Sequence, residues 1–256
     1  MTFHNLAVIS DIHGNADALK YALDDLARKE IGLTIVLGDL LTYGGQPNEV
    51  IDMLVEYENK HSCIFIKGNH EEFYFYPKRP KAYKMPDFVR ESIAWTTKAI
   101  KGKNLAEIFY WQESFVFEGI YFSHANPYEY GNWEYVDSDD QHLKAFKALS
   151  ERGYRAGVFG HSHRAKIKII DESGTMANVT GNTIEIKKNS TAILNAGSVG
   201  QPRGTGLSYL TIDCSSEKLT AELNFFSVDL TNSENLIYES EISKLSKERL
   251  IAYLRT

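Results

Sequence analysis

The chain of 256 residues is poor in cysteine, and its two cysteines, Cys63 and Cys214, stand far apart with no second cysteine nearby. Disulfide frameworks and zinc sites built on thiolates both need several closely spaced cysteines. The sequence therefore predicts neither. Any metal site must be built from Asp, His, Asn or Glu.

The chain also lacks an excess of positive charge, because 28 Lys and Arg stand against 34 Asp and Glu for a net charge of −6. Nucleic-acid polymers are held mainly by cationic surfaces, so we expect none as a partner. The N-terminus has no basic segment followed by a long apolar stretch, so we expect a cytoplasmic protein without a membrane partner. A composition of 43% hydrophobic and 24% charged residues is typical of a globular protein. The sequence predicts no oligomeric state.

Short apolar runs alternate with amphipathic stretches over the first 70 residues. The pattern predicts strands at 6–9, 34–37 and 63–67, with helices at 16–29 and 50–57 between them. A β-α-β-α-β succession favours a parallel sheet. We therefore expect the chain to begin as an α/β fold.

Two segments interrupt this alternation and predict insertions at about 73–113 and 127–152 within a single domain spanning 1–256. The first holds three of the six prolines, a run of four aromatic residues and a predicted helix at 87–100. Between the insertions, 114–117 and 120–123 predict a tight hairpin. The second insertion is rich in aromatic residues and ends in a predicted helix at 141–151, followed by a strand at 156–159.

The remaining chain predicts short strands separated by Gly, Asn and Ser, and such a pattern favours a mostly antiparallel second sheet. A final helix is predicted at 242–254. The predicted strands lie at 167–171, 183–187, 191–194, 207–213 and 219–228.

Polar residues able to bind a metal follow the ends of five predicted strands, at the edge where α/β sheets build their sites. Seven ligands without cysteine favour Mn, Fe, Zn or Mg, and are too many for one small cation. They suit two cations that share a bridging carboxylate. The seven are Asp11, His13, Asp39, Asn69, His124, His161 and His163, and an eighth polar residue, His70, directly follows Asn69. We expect the remaining histidines, His4, His61 and His142, to serve no such purpose.

The residues around these positions form five short motifs in a fixed order. In order, they are Ser10-Asp11-Ile12-His13-Gly14-Asn15, Gly38-Asp39, Gly68-Asn69-His70-Glu71, His124 and Gly160-His161-Ser162-His163. The set resembles the signature of the calcineurin-like metallophosphoesterases, in particular the small prokaryotic phosphoesterases, over about residues 5–213. The resemblance implies an α/β (α+β) fold of two mixed β-sheets packed face to face and flanked by helices. Here an aromatic-rich cap would be inserted into it.

The resemblance also implies a role for each motif residue. One metal would be bound by Asp11, His13 and His163, and the other by Asn69, His124 and His161, with Asp39 bridging both. The cofactors would be two divalent or trivalent ions; we expect Mn, with Fe, Zn, Mg, Ni or Co as alternatives. His70 would be the general acid that protonates the leaving oxygen during in-line attack by an activated water.

One motif departs from the family's protein phosphatases. Those enzymes carry an Asp-Arg-Gly stretch after the second motif, whereas Leu40-Leu41-Thr42-Tyr43-Gly44 stands here. A phosphoprotein substrate is thus disfavoured. Arg203 lies in the run 195–204, which resembles a stretch near the active-site face of the small phosphoesterases. It would either bind a substrate phosphate or fasten a loop to backbone carbonyls.

The aromatic residues of the insertions allow two interpretations. Their rings could stack on a nucleobase held above the metals, or they could form a hydrophobic core within the cap itself. The residues concerned are Phe73 to Tyr76, Trp95, Trp111 and Trp133.

The resulting expectation is a metal-dependent phosphatase or phosphodiesterase acting on a small phosphorylated substrate, with nucleotides among the candidates. Two alternatives remain open at this stage. One is a non-catalytic metal-binding scaffold of the same fold, and the other is a protein that senses a nucleotide without turning it over.

Overall fold

A computed structural model describes residues 4–76, 85–177, 179–215 and 218–255. Thirteen strands in this part of the chain form two mixed sheets. The strands are β1 (Asn5–Ile9), β2 (Leu33–Val36), β3 (Cys63–Ile66), β4 (Trp111–Gln112), β5 (Ser114–Phe117), β6 (Ile120–Ser123), β7 (Ala156–Phe159), β8 (Lys166–Asp171), β9 (Met176–Ala177), β10 (Thr183–Ile186), β11 (Ser190–Asn195), β12 (Leu207–Asp213) and β13 (Leu219–Phe226).

Helices flank the sheets, and most of them lie where the sequence predicts. They are α1 (Ala16–Arg28), α2 (Pro47–Glu58), α3 (Glu71–Phe75), α4 (Asp87–Ala99), α5 (Leu105–Ile108), α6 (Asp139–Ser150), α7 (Thr231–Glu239) and α8 (Lys244–Leu254). α1 begins where predicted because the Asn15 side chain accepts a hydrogen bond from the Ala18 N–H at 3.0 Å. The described part of the chain contains no helix with the length and apolar character needed to cross a bilayer.

The first sheet has the order β10-β13-β12-β1-β2-β3-β4, and its β1-β2-β3-β4 half is parallel. This confirms the predicted β-α-β-α-β start. The second sheet has the order β5-β6-β7-β11-β8-β9 and contains the predicted hairpin as β5 and β6. Alternate residues of β1 face opposite sides: Leu6 and Val8 belong to the core shared by the two sheets, and Ala7 and Ile9 to the core under α1 and α2.

The prediction that the later strands make up the second sheet is wrong for three of them. β12 pairs antiparallel with β1, and β13 and β10 continue the first sheet beyond it. The second sheet in turn contains parallel pairs, β6 with β7 and β7 with β11. Strand length and alternation specify only which side of a strand is buried, so they could not assign these strands to a sheet.

The segment 73–113 holds α4 and α5, but it ends in β4, which is the edge strand of the first sheet beside β3. The segment therefore rejoins the sheet rather than standing wholly outside it. α4 packs against the C-terminal α8 through a core cluster that includes Val89 and Leu250. Pro77 and Pro80, on which part of the cap prediction rests, lie outside the described residues.

The predicted C-terminal helix at 242–254 is α8, and a second helix, α7, precedes it without having been predicted. α7 starts Thr-Asn-Ser-Glu-Asn and buries only Ser233 and Ile237, so its hydrophobic periodicity is weak. A polar contact holds it in place instead: the Ser233 hydroxyl donates to Asp17 Oδ2 at 2.7 Å.

Candidate metal centre

The motif residues follow the carboxyl ends of β1, β2, β3, β6 and β7, as the sequence predicts. Because β1, β2 and β3 are parallel neighbours and β6 and β7 are parallel neighbours, these strand ends deliver their side chains to one edge of the two sheets. Residues separated by up to 152 positions are thereby brought into contact.

Five of these residues have left-handed backbones, which is uncommon outside glycine. The φ angles are +54° at Asp11, +48° at His13, +53° at Asp39, +62° at His161 and +58° at His163. Such conformations cost free energy and persist where the surrounding structure enforces them, typically at functional sites. Here each one turns the chain directly after a strand, so that the side chain points into the shared space.

The first cluster consists of Asp11, His13, Asp39 and His163, whose ligand atoms all lie within 4.8 Å of one another. Asp11 Oδ1 is 3.2 Å from His163 Nε2, and His13 Nε2 is 3.7 Å from Asp39 Oδ2. All four side chains are buried. Two carboxylates and two imidazoles at this spacing are a donor set for a divalent or trivalent cation.

The Asp11 carboxylate shows directly that the donor set fits a metal. Its Oδ2 atom accepts hydrogen bonds from the Ser10 hydroxyl at 2.6 Å and the His161 backbone N–H at 2.9 Å. Its Oδ1 atom is buried and accepts no hydrogen bond from the described residues. The polar atom nearest to it in the first cluster, His163 Nε2 at 3.2 Å, is itself a ligand candidate, and a buried carboxylate oxygen without a hydrogen bond is costly unless a cation compensates it.

The second cluster consists of Asp39, His124 and His161, again with ligand atoms within 4.8 Å of one another. The side-chain oxygen of Asn69 adds a fourth donor, 3.1 Å from His124 Nε2. Asp39 belongs to both clusters. The seven predicted ligands are therefore brought together as two adjoining donor sets that share one carboxylate.

The imidazoles are oriented by backbone carbonyl oxygens behind them. Nδ1 of His13 lies 3.1 Å from the Leu41 carbonyl, Nδ1 of His124 lies 2.6 Å from that of Leu37, and Nδ1 of His163 lies 2.5 Å from that of Gln201. In His161 the two ring nitrogens exchange roles, because Nε2 is the atom that lies 3.1 Å from a backbone carbonyl oxygen, that of Trp133. Such bonds fix which nitrogen is free to bind a metal: Nε2 in the first three and Nδ1 in His161.

The ionisation of the cluster suits metal binding. Burial lowers the pKa of His161 to about 3, and burial together with the charge of His163 holds the pKa of His13 well below its usual value, so both are neutral near pH 7. Burial alone would raise the pKa of Asp39. The charges of His124 and His70 outweigh the effect of burial and leave the pKa of Asp39 well below the usual range. The charge of Asp39 in turn overcomes burial at His124 and raises its pKa to about 9. A metal bound there would displace that proton.

Glu71 holds the loops that carry Asp39 and Asn69. Its side chain is fully buried, and its carboxylate accepts hydrogen bonds from the backbone N–H groups of Asp39 at 2.8 Å, Leu40 at 2.9 Å and Gly68 at 2.7 Å. Burial and the charge of Asp39 raise its pKa to about 7. In the sequence Glu71 is part of the third motif, and its position directly after Asn69 and His70 is the signal that could have indicated this role.

His70 and Arg203 line the same cavity as the metal-ligand candidates. The cavity measures about 270 Å³ and also borders Asp39, Asn69, His161 and His163. The Arg203 backbone N–H donates to the His163 carbonyl at 3.2 Å, and its Nε atom is buried without a hydrogen-bond partner among the described residues. Arg203 therefore does not fasten a loop of the described chain through its Nε atom. Its phosphate-binding role stays a prediction.

The aromatic residues divide between the two interpretations. Phe73 and Trp133 line the cavity, together with Tyr43 and Tyr135, two site residues that the motifs do not predict. The Tyr135 ring stacks on His161 with centroids 4.5 Å apart. Trp111 packs against Phe65 and Phe109, and Trp95 against the α4–α8 cluster, so these two serve the core.

The three histidines left out of the prediction lie outside both clusters. His61 stacks on Tyr57, with centroids 4.3 Å apart, and His142 sits inside α6 with Nδ1 2.6 Å from the Ser138 carbonyl. His4 is exposed at the start of β1.

Comparison with known proteins adds a family and a fold. A family model described as calcineurin-like phosphoesterase matches residues 4–165. An uncharacterised protein of Methanocaldococcus jannaschii is 31% identical over 203 residues, which cover 77% of each chain.

Two solved structures share the fold over nearly the whole chain. A metallophosphoesterase from Sphaerobacter thermophilus matches with a TM-score of 0.75 and 20% identity, over 98% of this chain and 99% of that one. A hypothetical protein from Pyrococcus horikoshii matches with a TM-score of 0.75 and 16% identity, over 98% of both chains.

Proposed function

The chain belongs to the calcineurin-like phosphoesterase family, and on that premise we propose that it is a metal-dependent hydrolase that cleaves a phosphoester bond in a small phosphorylated molecule. The observation that carries the proposal is the sharing of Asp39 between two buried donor sets, of which Asp39, His161 and His163 line one cavity. A pair of cations at such a site can act on both the attacking and the leaving oxygen of an in-line displacement.

In this proposal Asp11, His13 and His163 would hold one ion, Asn69, His124 and His161 would hold the other, and Asp39 would contribute to both sites. Mn is the metal we expect at both positions. When bound, the ions would supply Lewis acidity, activating a water and offsetting negative charge on the phosphoryl oxygens. Among the proposed ligands only Asp11 and Asp39 carry negative charge, because Asn69 and the histidines bind as neutral groups. The metal-loaded centre would therefore be cationic and would attract phosphate.

His70 would protonate the leaving oxygen as its bond to phosphorus breaks. Its Nε2 lies 3.8 Å from Asp39 Oδ2, so this edge of the ring faces the centre. Arg203, on the cavity wall, would bind a non-bridging phosphoryl oxygen through its guanidinium group.

The cavity volume supports a small substrate. About 270 Å³ accommodates a phosphate with a compact leaving group, and the aromatic wall of Phe73, Trp133 and Tyr135 offers stacking faces. The net charge of −6 disfavours a long polyanion as the substrate.

The test is hydrolysis of p-nitrophenyl phosphate and bis-p-nitrophenyl phosphate by protein stripped with a chelator and then reloaded with Mn²⁺. We expect turnover that appears with the metal and disappears with the chelator. Stoichiometric metal binding without turnover of either ester, or of a panel of nucleotides, would favour the scaffold. Calorimetric binding of a nucleotide without its hydrolysis would favour the sensor.

A further inference from the structure

Tyr43 connects three parts of the candidate site. Its side chain is buried and lines the cavity. Its hydroxyl lies 3.3 Å from Nε2 of His70, and its ring packs on the His13 ring with centroids 4.6 Å apart. One residue thus touches a candidate metal ligand and the candidate general acid.

The His70 ring packs edge-on against the rings of Phe73 and His13, with centroids 5.2 and 5.0 Å away, and has few polar contacts. Its Nδ1 atom is buried and has no hydrogen-bond partner, so among the described residues the Tyr43 hydroxyl is the hydrogen-bond partner of this ring. The 3.8 Å separation of Nε2 from Asp39 Oδ2 is too long for a hydrogen bond. Beyond that packing, the hydrogen bond with Tyr43 favours one position of the ring proton and one edge of the ring toward the candidate metal ligands.

The backbone of Tyr43 is held in a strained conformation by the inserted helix α4. Its φ angle is +69°, and its N–H donates to the hydroxyl of the fully buried Ser92 at 2.6 Å. On its other side, Gly44 packs so closely on His13 that a Cβ at position 44 would lie 2.3 Å from the His13 carbonyl oxygen. Aromatic side chains seldom adopt positive φ, so these contacts must hold Tyr43 in place.

We propose that Tyr43 is a positioning residue whose hydroxyl keeps the Nε2 edge of His70 turned toward the bound phosphoester, and that the insertion acts in the reaction by holding Tyr43 through Ser92. The inference rests on the proposed function. It gives the insertion a role in proton delivery that does not depend on whether its aromatic residues stack on the substrate.

The decisive variant is Tyr43→Phe, which keeps the ring against His13 and removes only the hydroxyl. We expect kcat to fall about tenfold for alkyl phosphates and less than about twofold for p-nitrophenyl phosphate, with KM unchanged, because a good leaving group needs little protonation. In a His70→Ala background the same substitution should have no further effect. Ser92→Ala should reproduce the leaving-group dependence at smaller amplitude.

The matched control is Tyr74→Phe. Tyr74 lies in α3, and its hydroxyl shares a hydrogen bond with Thr42 Oγ1 at 2.6 Å, so this variant removes a tyrosine hydroxyl that contacts the residue next to Tyr43 rather than the His70 ring. This variant should show no dependence on the leaving group. Equal losses for all esters in Tyr43→Phe, or losses that add to those of His70→Ala, would overturn the inference while leaving the hydrolase proposal intact.

A second readout does not depend on turnover. The ¹⁵N chemical shifts of the His70 ring in the metal-free protein report its tautomer, and we expect Tyr43→Phe to change them while Tyr74→Phe does not. Should the wild-type protein hydrolyse no phosphoester, the proposed function fails, and unchanged His70 shifts would separately refute the link to Tyr43.

Discussion

At the scale of single residues, Asp39 is the side chain on which both halves of the metal centre depend. It belongs to both donor sets, and its Oδ1 atom also accepts a hydrogen bond from the His70 N–H at 2.8 Å. The nearby carboxylate of Glu71 could not replace it, because Glu71 accepts hydrogen bonds from three backbone N–H groups.

We expect Asp39→Ala to lose both metals and nearly all activity while remaining folded, because the residue lies on the rim of the sheets rather than between them. Elemental analysis measures the metal content, and circular dichroism checks the fold. Asp24→Ala is the matched control, since Asp24 is an exposed aspartate of α1. An Asp39→Ala protein with two equivalents of metal would disprove the bridging assignment.

His70 differs from the metal-ligand candidates because removing it should leave the metals in place. For His70→Ala we expect normal metal content and a loss of kcat that grows with the pKa of the leaving group, up to about 10²–10⁴-fold for alkyl esters. Steady-state kinetics on a series of phosphate esters measures it, with His61→Ala as the control. A loss of the same size for every ester would contradict the general-acid role.

At the scale of elements, β12 ties the end of the chain to its beginning. It lies between β1 and β13, and Leu210 pairs with Val8 on one side and Leu223 on the other. The Leu210 side chain is fully buried in the core between the two sheets. β1 would otherwise be an edge strand directly before Asp11 and His13.

We expect Leu210→Ala to lower the free energy of unfolding by about 2–5 kcal/mol, because the cavity it leaves lies in a tightly packed core. Chemical denaturation of the metal-free protein measures the change. Leu245→Ala on α8, where the side chain is 79% exposed, is the matched control and should change stability by less than about 0.5 kcal/mol. Similar losses in both variants would argue against the core assignment of Leu210.

At the scale of the whole molecule, the candidate metal centre would couple metal binding to stability. Its candidate ligands come from five loops spread between residues 11 and 163, so a bound ion would join segments that separate on unfolding. The left-handed backbones at five of the ligand positions are held in place by the same assembly.

We expect saturating Mn²⁺ to raise the melting temperature by about 5–10 °C, which corresponds to about 2.7 kcal/mol at a hundredfold excess over Kd. Calorimetry with and without chelator measures the shift. Asp39→Ala should show no such shift. A wild-type protein with the same melting temperature in both conditions would contradict metal binding by the folded chain.

The sequence by itself determined the local features. The three parallel strands, the hairpin, helix α1 and the placement of the eight polar residues after strand ends all follow from patterns within about ten residues of chain. Periodicity, capping and turn residues act over that distance, so they can be recognised without knowledge of the rest of the molecule. The motif order extended this to the family and the fold class.

Only the tertiary structure decided which strands adjoin and which side chains meet. Three contacts join residues 27 or more positions apart. They are the pairing of β12 with β1, the hydrogen bond from the Asp39 N–H to Glu71, and the contact of Tyr43 with His70. Such contacts depend on how every intervening element packs, and a burial pattern along one strand or helix carries no information about its partner. For the same reason the polar helix α7, held by Ser233 against Asp17, could be recognised only once the chain was folded.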